Sequence, residues 1–480
     1  MQVKNIGTQL IACGFTACTL AACAQQESDQ SRRPNVLVVM ADQWRIQAIG
    51  HHGDPNVQTP YLDALATQGI DFTNAVAEIP VCTPSRASFM TGQLPLRNGV
   101  FMNDVQLDTN AVSIAEVFRN AGYATACIGK WHIDGRGRSA FIPPGGRRQG
   151  FDYWKVLECT HDYNHSLYYA DVPDTLLWEG YDVFAQTDDA IRYMDGRTGE
   201  EQPFFLFLSW GPPHDPYHTA PEEYKRLYSA QDIQLRPNVP ESRQDQARRW
   251  HAGYYAHCTA MDSQIGKLMT YLKDSGLDSN TLVLFLSDHG DLLGSHGEAN
   301  KQQPYDESIR IPMIFKLPDA NGVGEGSREA PIGVSDVMPT LLGLCDLDIP
   351  EPVDGHDYSA YLLGKTTSAP DTVKLITCVQ PYGQWSRDRG GREFRGIRTT
   401  RYTYVRDLEG PWLFFDNQTD PYQQHNLLED PNYQALATSF DRLLQARLAA
   451  TGDEFRPGLE YVKRYNYPPL DETETVPFEW

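Results

Sequence analysis

The sequence lacks three features that would each have placed it in a different class of protein. It has no long hydrophobic run, because its longest apolar or small-residue stretch, residues 10–22, is too short to cross a bilayer as a helix. It has no excess of positive charge: 63 Asp and Glu outnumber 41 Lys and Arg and leave a net charge of −22. Nucleic acid and an anionic membrane surface are therefore excluded as partners of the surface as a whole. It also contains no internal repeat, and so no repeat architecture is predicted.

What is present is the composition of an ordinary globular protein, with 480 residues of which 41% are hydrophobic and 22% charged. This composition excludes a disordered or fibrous chain. The length predicts two or three domains, or one large α/β domain with an appendage. The acidic balance, taken alone, also argues against an anionic substrate.

Cysteine is sparse, and its spacing is as informative as its number. Three of the nine cysteines fall within the first 23 residues, and the other six show no CxxC spacing. Neither a zinc ribbon nor a dense disulfide framework is predicted. Apart from Cys82, we expect most of these thiols to be buried and structural. The six are Cys82, Cys127, Cys159, Cys258, Cys345 and Cys378.

The amino-terminal residues resemble a secretory leader. Residues 10–22 suit the hydrophobic region of a signal peptide, and they run into residues 20–23 (LAAC), which resemble the lipobox of bacterial lipoproteins. The resemblance implies a signal peptide over residues 1–22, lipidation of Cys23 and a polar tether over residues 23–34. An ordinary secretory signal with a chance cysteine is the alternative. The lipoprotein interpretation predicts a bacterial cell-envelope location, in the periplasm or on the outer membrane or cell surface, with membrane contact only through the lipid.

Four short apolar runs end in polar residues suited to chemistry. Continuous runs rich in β-branched and aromatic residues are typical of buried, mostly parallel strands. Helical patterns lie between them, at residues 113–121 and 251–273. This alternation predicts an α/β fold with a large, doubly wound, mostly parallel sheet whose ligands collect at the carboxyl ends of the strands. The runs are residues 35–40, 123–128, 204–208 and 281–286.

After about residue 370 the pattern changes. Short strand-like segments joined by turns, and a helical pattern over residues 432–451, predict a smaller α+β subdomain with an antiparallel sheet. The predicted organisation is therefore a main domain over residues 35–370 and a C-terminal subdomain over residues 371–480. The strand-like segments are residues 373–379, 394–405 and 412–416.

Two segments resemble the signatures of one enzyme family. Residues 80–92 (PVCTPSRASFMTG) and 122–132 (GYATACIGKWH) resemble, in order and separation, those of the type I, formylglycine-dependent sulfatases of the alkaline phosphatase superfamily. The resemblance implies an alkaline phosphatase-like α/β/α sandwich, with the main domain as the sulfatase catalytic domain. It covers most of residues 35–318 through further matching positions, namely Asp42, residues 288–290 (DHG) and Lys301.

The resemblance implies a role for each residue of these motifs. Cys82 would be oxidised to formylglycine, and its hydrated aldehyde would attack sulfur, expel the alcohol and then collapse to release sulfate. Arg86 would hold the hydrated aldehyde, and Lys130 would pair with an oxygen of the sulfate or the diol. His132 would take the proton during collapse. The groups that contact the sulfate and protonate the leaving oxygen would be His214 and Lys301.

Two predicted strand ends each offer a pair of metal donors, and together these form an oxygen-rich set that suits a hard cation. The resemblance implies one calcium ion per chain, which the modified Cys82 also contacts. Because an imidazole nitrogen is an unusual calcium ligand, the identity of the metal stays open. Three basic side chains and the cation outweigh two carboxylates here, so the site is locally positive despite the acidic chain. The donors are Asp42 with Gln43, and Asp288 with His289.

Weaker signals concern the substrate. Asp215 is a candidate for substrate contact, as are His161 and His165, which also fit a metal pair on a helix or an ordinary loop. A basic run is interpreted as a solvated loop, with a cationic wall for a polyanionic glycan as the alternative. Its members are Arg387, Arg389, Arg392 and Arg395.

Together these observations predict a sulfuric ester hydrolase acting on a sulfated polysaccharide or its oligosaccharides, in polysaccharide breakdown. A phosphonate monoester or phosphodiester hydrolase with the same nucleophile is the nearest alternative. A lipoprotein that binds sulfated glycan without catalysis, its Cys82 unmodified, is an alternative of another class. The predicted partners are the carbohydrate substrate and a formylglycine-generating maturation enzyme, with no nucleic acid.

Overall fold

The described part of the chain runs from residue 33 almost to the end. The computed structural model describes residues 1–2, 33–318 and 325–477, and the described residues from Arg33 onward form one compact unit. The predicted signal peptide, Cys23 and most of the tether lie outside the described residues and stay predictions. Within the described ranges, no helix is both long enough and apolar enough to cross a membrane.

A mixed, mostly parallel sheet of eight strands forms the centre of this unit, as predicted. In chain order the strands of the amino-terminal two thirds are β1 (Asn35–Asp42), β2 (Ile70–Phe72), β3 (Ala75–Val76), β4 (Ala124–Lys130), β5 (Tyr153–Leu157), β6 (Leu167–Tyr168), β7 (Leu176–Leu177), β8 (Phe204–Pro213), β9 (Thr281–Ser287), β10 (Met313–Lys316), β11 (Gly326–Arg328) and β12 (Ile332–Gly333). The large sheet has the order β11-β2-β10-β9-β1-β8-β4-β5. β1 is parallel to β8 and β9, whereas β10 is antiparallel to both its neighbours.

Helices cover both faces of this sheet. The helices of this part of the chain are α1 (Pro60–Gln68), α2 (Cys82–Thr91), α3 (Pro95–Asn98), α4 (Ile114–Asn120), α5 (Asp182–Asp195), α6 (Glu222–Lys225), α7 (Gln244–Asp274), α8 (Asp306–Ile309), α9 (Val337–Leu344) and α10 (Ser359–Leu362). Val36 and Val38 of β1 pack with α2, α4 and α9, whereas Leu37 and Val39 pack with α1, α5 and α7 on the other face. Successive residues of a strand point to opposite faces, so an apolar run without alternation builds an α/β/α sandwich.

The two helices predicted in the main domain are present with different bounds. α4 follows Ser113, whose hydroxyl accepts a hydrogen bond from the backbone of Glu116 at 3.1 Å in a capping box. α7 has 31 residues and begins before the predicted position 251. Its first two turns, residues 244–250, are mostly polar, which is why apolar periodicity did not find them.

The carboxyl-terminal part holds a four-stranded antiparallel sheet, as predicted. Its strands are β13 (Lys374–Cys378), β14 (Phe394–Arg398), β15 (Tyr402–Asp407) and β16 (Pro411–Asp416), in this order across the sheet. The prediction of one strand over residues 394–405 was wrong, because the chain turns at residues 399–401 and Arg398 pairs with Thr403 in a hairpin. Two helices, α11 (Gln434–Thr451) and α12 (Gly458–Arg464), follow, and α11 packs on one face of this sheet.

Three of the four arginines of the predicted basic run form ion pairs. Arg387 contacts the carboxylates of Glu393 and Glu474. Arg392 lies 2.8 Å from a carboxylate oxygen of Asp407, and Arg395 is buried and paired with Asp453. Arg389 alone is exposed without a carboxylate partner among the described residues, so these four arginines do not form a cationic wall. The six cysteines beyond the leader are all free and buried in the described structure, as expected.

A buried carboxyl at the start of α5 makes stability depend on pH. Burial raises the pKa of Asp182 to about 8 from an ordinary value of 3.8. Between pH 3.8 and about pH 8 the carboxyl of Asp182 keeps its proton in the folded chain and has lost it in the unfolded chain. The free energy of unfolding therefore falls as the pH rises through this range. We therefore expect Asp182→Asn to raise the melting temperature more at about pH 8.5 than at about pH 5. The difference between the two increases should be a few degrees.

The matched control is Asp188→Asn on the same helix, where the carboxylate is about half exposed. Calorimetric melting curves of the three proteins across the pH range measure the effect. Parallel pH profiles for Asp182→Asn and the unchanged chain would contradict the assignment of the titration to this residue.

Candidate active site

The carboxyl ends of the central parallel strands converge on one buried centre. β1 ends at Asp42, β4 ends at Lys130, and Asp288 directly follows β9. α2 begins at Cys82 and every one of its residues is buried. The sheet edge and the amino-terminal end of α2 therefore enclose the same small volume.

The side chain of Cys82 lies at the centre of this site. Its Sγ lies 3.2 Å from Nε2 of His289 and 3.2 Å from Nζ of Lys301. Asp42 is next, with Oδ1 at 3.7 Å from Sγ. Burial alone would raise the pKa of the thiol, but the charges of Lys301 and Lys130 lower it well below its ordinary value. The surroundings of position 82 therefore stabilise a negatively charged atom.

Arg86, one turn further along α2, ties the strand ends together. Its Nε donates to Oδ2 of Asp288 at 3.0 Å, and Nη1 donates to the hydroxyl of Ser209 at 2.7 Å. Lys130 forms a buried ion pair with Asp42. Burial would lower the pKa of Lys130, but the carboxylate of Asp42 raises it above its ordinary value, so the ammonium stays charged. Two fixed cations are thus held beside position 82.

The predicted metal donors are brought together, and their geometry fits a divalent cation. Ligand atoms of Asp42, Cys82, Asp288 and His289 all lie within 4.8 Å of one another. Nδ1 of His289 donates to the carbonyl of Gly290 at 2.9 Å, which turns Nε2 toward the carboxylates. That nitrogen lies 3.6 Å from Oδ1 of both aspartates. Atoms that bind one cation at about 2.3–2.6 Å have such separations.

Gln43, the fourth predicted donor, is oriented by a residue that sequence reasoning missed. Its Nε2 donates to Oδ2 of Asp291 at 2.6 Å, so Oε1 points the other way and accepts from Nζ of Lys301 at 2.7 Å. Asp291 is fully buried and also accepts a hydrogen bond from Tyr217 at 2.5 Å. The position of Asp291, one residue beyond the DHG cluster, was the available signal.

His132 also has a buried partner that the sequence did not reveal. Its Nε2 lies 3.4 Å from Oδ1 of Asp104, and Arg138 donates two hydrogen bonds of 2.9 Å to the same carboxylate. Burial alone would lower the pKa of His132, but Cys159 and Asp104 raise it to about 9. Asp104 lies in a loop with no motif around it, so only the fold brings it to His132.

His214 and Lys301 form a hydrogen-bonded pair beside Cys82. Nζ of Lys301 donates to Nε2 of His214 at 2.8 Å. Nδ1 of His214 contacts the backbone carbonyl of Asp215 at 2.9 Å, and because a carbonyl only accepts, this nitrogen carries the proton. The two predicted proton-handling groups therefore contact each other, and Lys301 also contacts Sγ of Cys82.

The three candidate substrate residues have different environments. The ring of His161 stacks on that of His214, with centroids 4.9 Å apart, and burial lowers its pKa to about 4. Asp215 has Oδ1 3.3 Å from Nδ1 of His214. His165 is exposed and pairs with Asp162, and no metal cluster forms there among the described residues. Residues 161–165 form a loop, so the interpretation as a metal pair on a helix was wrong.

The contact between Asp104 and His132 gives a testable effect. We expect Asp104→Asn to lower kcat about 10–100-fold while KM changes little, because Asp104 positions a site residue without reaching the reaction centre. Steady-state kinetics measure the split between kcat and KM. Asp108→Asn, in the same loop and exposed, is the control. A rise in KM at unchanged kcat would contradict the positioning role.

The chain is similar to known sulfatases in sequence. Residues 34–347 match the family model described as Sulfatase. Residues 294–450 match the model described as N-sulphoglucosamine sulphohydrolase, C-terminal. The ulvan-active sulfatase of Formosa agariphila is 43% identical over 475 residues, which cover 97% of this chain and 91% of that protein.

Solved structures share the fold. The protein yidJ of Bacteroides fragilis superposes with a TM-score of 0.81 at 31% identity, covering 91% of this chain and 99% of the other. The phosphonate monoester hydrolase of Agrobacterium radiobacter superposes with a TM-score of 0.72 at 22% identity, covering 92% and 99%. The second likeness extends to the fold alone.

Proposed function

This chain belongs to the sulfatase family and is a sulfuric ester hydrolase, and we propose that it acts on a sulfated polysaccharide or its oligosaccharides through formylglycine at position 82 and a bound calcium ion. One observation carries the proposal. Cys82 is buried at the centre of two carboxylates, an imidazole and the ammonium of Lys301. Such a set suits a nucleophile that must approach an anionic ester.

A divalent cation bound to Asp42, Gln43, Asp288 and His289 would supply positive charge to the sulfate and to the oxygen nucleophile. The chain itself supplies Arg86 and Lys130, which are held by buried carboxylates and need no rearrangement when charge develops. These fixed cations orient the sulfate and offset its repulsion of the nucleophile. The side chain at position 82, which begins α2, is itself held rigidly by the surrounding core.

Proton transfer to the leaving oxygen falls to the pair of Lys301 and His214. In this arrangement the proton resides on Nζ of Lys301, because Nε2 of His214 accepts it in a hydrogen bond. The carbonyl of Asp215 fixes the ring of His214 in that orientation. His132, held by Asp104, is the ionisable group placed for the proton transfer that accompanies sulfate release.

Ulvan is the substrate that the comparisons favour. The Formosa agariphila relative is described as an ulvan-active sulfatase, and at 43% identity over nearly the whole of both chains its activity is a sound basis for a proposal. A phosphonate or phosphodiester substrate has weaker support, since the solved phosphonate monoester hydrolase shares the fold at 22% identity. We therefore propose sulfate ester groups of ulvan oligosaccharides as the substrate.

A substrate panel tests this proposal. Purified enzyme is incubated with desalted oligosaccharides of ulvan and of chondroitin sulfate, with nitrophenyl sulfate, and with a nitrophenyl phosphonate monoester. We expect sulfate release to be fastest from the ulvan oligosaccharides, measured by ion chromatography. Faster turnover of the phosphonate would overturn the assignment, and faster release from chondroitin sulfate would replace ulvan as the substrate.

The cellular setting completes the proposal. A lipid-anchored enzyme of the bacterial cell envelope, held through Cys23, would meet polysaccharide fragments outside the cytoplasm. A maturation enzyme that oxidises Cys82 is the second partner this chemistry requires. The LAAC sequence at residues 20–23 supports the first point, and the PVCTPSR sequence at residues 80–86 supports the second.

A further inference from the structure

A cavity of about 460 Å³ lies beside the candidate active site, and no role has been given to most of the residues around it. Its volume falls in the range of small-molecule sites in proteins. Its walls come from the loop after β8, from α7 and from the loop before Lys301. The lining includes Asp215, His218, Arg249, Trp250, Gly253 and Asn300.

The cavity lies on the side of the leaving group. Asp215 is the residue that follows His214 and contacts its ring. Asn300 directly precedes Lys301, whose Nζ lies between His214 and the side chain at position 82. A sulfate held at position 82 would therefore direct its alcohol portion past His214 and Lys301 and toward this cavity.

Two neighbouring residues of α7 give the cavity its chemistry. Arg249 is exposed and has no carboxylate partner within ion-pair distance in the described structure, although the chain carries an excess of acidic residues. Trp250 is half-buried and stacks on no other ring of the described residues, unlike its neighbours His251 and Tyr254. A free guanidinium pairs with carboxylates and sulfates, and a free indole face stacks on sugar rings.

Gly253 allows α7 to pack closely against the loop after β8 at the wall of the cavity. Gly253 lies one turn beyond Trp250, and a Cβ there would come within 2.5 Å of the backbone carbonyl of Tyr217. α7 therefore approaches the loop after β8 as closely as backbone atoms allow. Tyr217 in turn donates to Asp291, which also holds Gln43, so the cavity wall is linked rigidly to the metal donors.

We propose that this cavity binds the glycan on the leaving-group side, with a sugar ring stacked on Trp250 and a second anionic group of the glycan paired with Arg249. The second group is a carboxylate or a further sulfate, which share the negative charge that a guanidinium recognises. The inference rests on the proposed function, and it adds that this enzyme selects fragments carrying a negative charge besides the sulfate that is removed.

Kinetics of Arg249→Met test the pairing. We expect kcat/KM for ulvan tetrasaccharides to fall about 10–100-fold, while kcat/KM for nitrophenyl sulfate, which has no second charge, stays within about twofold. Arg249→Lys should recover part of the loss. Arg226→Met, an exposed arginine outside the cavity, is the matched control. Equal losses on both substrates, or no loss on the tetrasaccharides, would overturn the proposal.

A binding measurement separates this inference from the proposed function. Titration calorimetry compares Cys82→Ala with the double variant Cys82→Ala, Arg249→Met, using ulvan tetrasaccharides before and after chemical reduction of their carboxyl groups. A weaker Kd for the double variant supports the cavity, and an unchanged Kd overturns it, whether or not the active enzyme releases sulfate. If carboxyl reduction removes the difference, Arg249 recognises a carboxylate. If the difference persists, it recognises a second sulfate.

Discussion

Replacing Cys82 with alanine is expected to reduce sulfate release by at least about four orders of magnitude, because the variant has no nucleophile and no residue that is convertible to one. The fold should be retained, since Cys82 begins a helix whose contacts with the apolar core are made by Phe89 and Met90, whereas the thiol contacts polar side chains of the site. Sulfate release is measured by ion chromatography, and folding by the melting temperature.

The same experiment tests the identity of the nucleophile. Mass spectrometry of the peptide containing Cys82, from protein produced in a host with the maturation enzyme, should show sulfur replaced by oxygen with the loss of two hydrogens. Cys258→Ala, at a buried thiol within α7, is the control and should keep both the activity and the modified peptide. Full activity together with an unmodified thiol at position 82 would refute the mechanism.

Removal of the metal is expected to lower kcat/KM by about three orders of magnitude, since a divalent cation is worth several kcal/mol of transition-state stabilisation. Enzyme treated with a chelator and freed of it by gel filtration should regain activity on addition of calcium. Calcium should also raise the melting temperature as its concentration rises, because the proposed site needs the folded arrangement of Asp42 and Asp288. Unchanged activity after exhaustive chelation would contradict a metal-dependent reaction.

The imidazole among the donors allows the choice of metal to be tested. His289→Asn replaces a nitrogen ligand with an oxygen ligand of similar reach, which suits calcium better. We expect this variant to need less calcium for half-maximal reactivation and to respond less to zinc or manganese. Ser335→Ala, at a buried site distant in sequence from the donors, is the control. A greater need for calcium in His289→Asn would show that the imidazole belongs to the preferred ligand set.

Much of the fold was predictable because apolar runs and signature motifs are local. β1, β4, β8 and β9 each contain a run that the sequence marked, and polar residues that follow these runs do meet at one edge. The predicted fold class is confirmed by the sheet and by the solved relatives. The hairpin of β14 and β15 was missed because its turn at residues 399–401 contains neither glycine nor proline.

The residues that support the site were not predictable in the same way. Asp104 and Asp291 act by contacting His132 and Gln43, and such contacts depend on loops whose course no periodicity encodes. No sequence signal pointed to Arg249 beside Trp250 either. Whether an arginine has a carboxylate partner depends on the folded structure, so Arg249 could not be told apart from the paired arginines. By contrast, the metal donors were adjacent pairs directly after strands, which is a local pattern.

The burial of α2 limits when the side chain of Cys82 can be reached by another enzyme. Cys82 is 1% exposed, and no residue of α2 reaches the surface. An enzyme that oxidises this side chain needs to enclose the segment around it in its own active site, which the folded chain does not allow. Under the proposed mechanism, the oxidation of Cys82 would therefore precede folding. The active fraction of a preparation would then be fixed at biosynthesis, and adding the maturation enzyme to the purified, folded protein would not raise it.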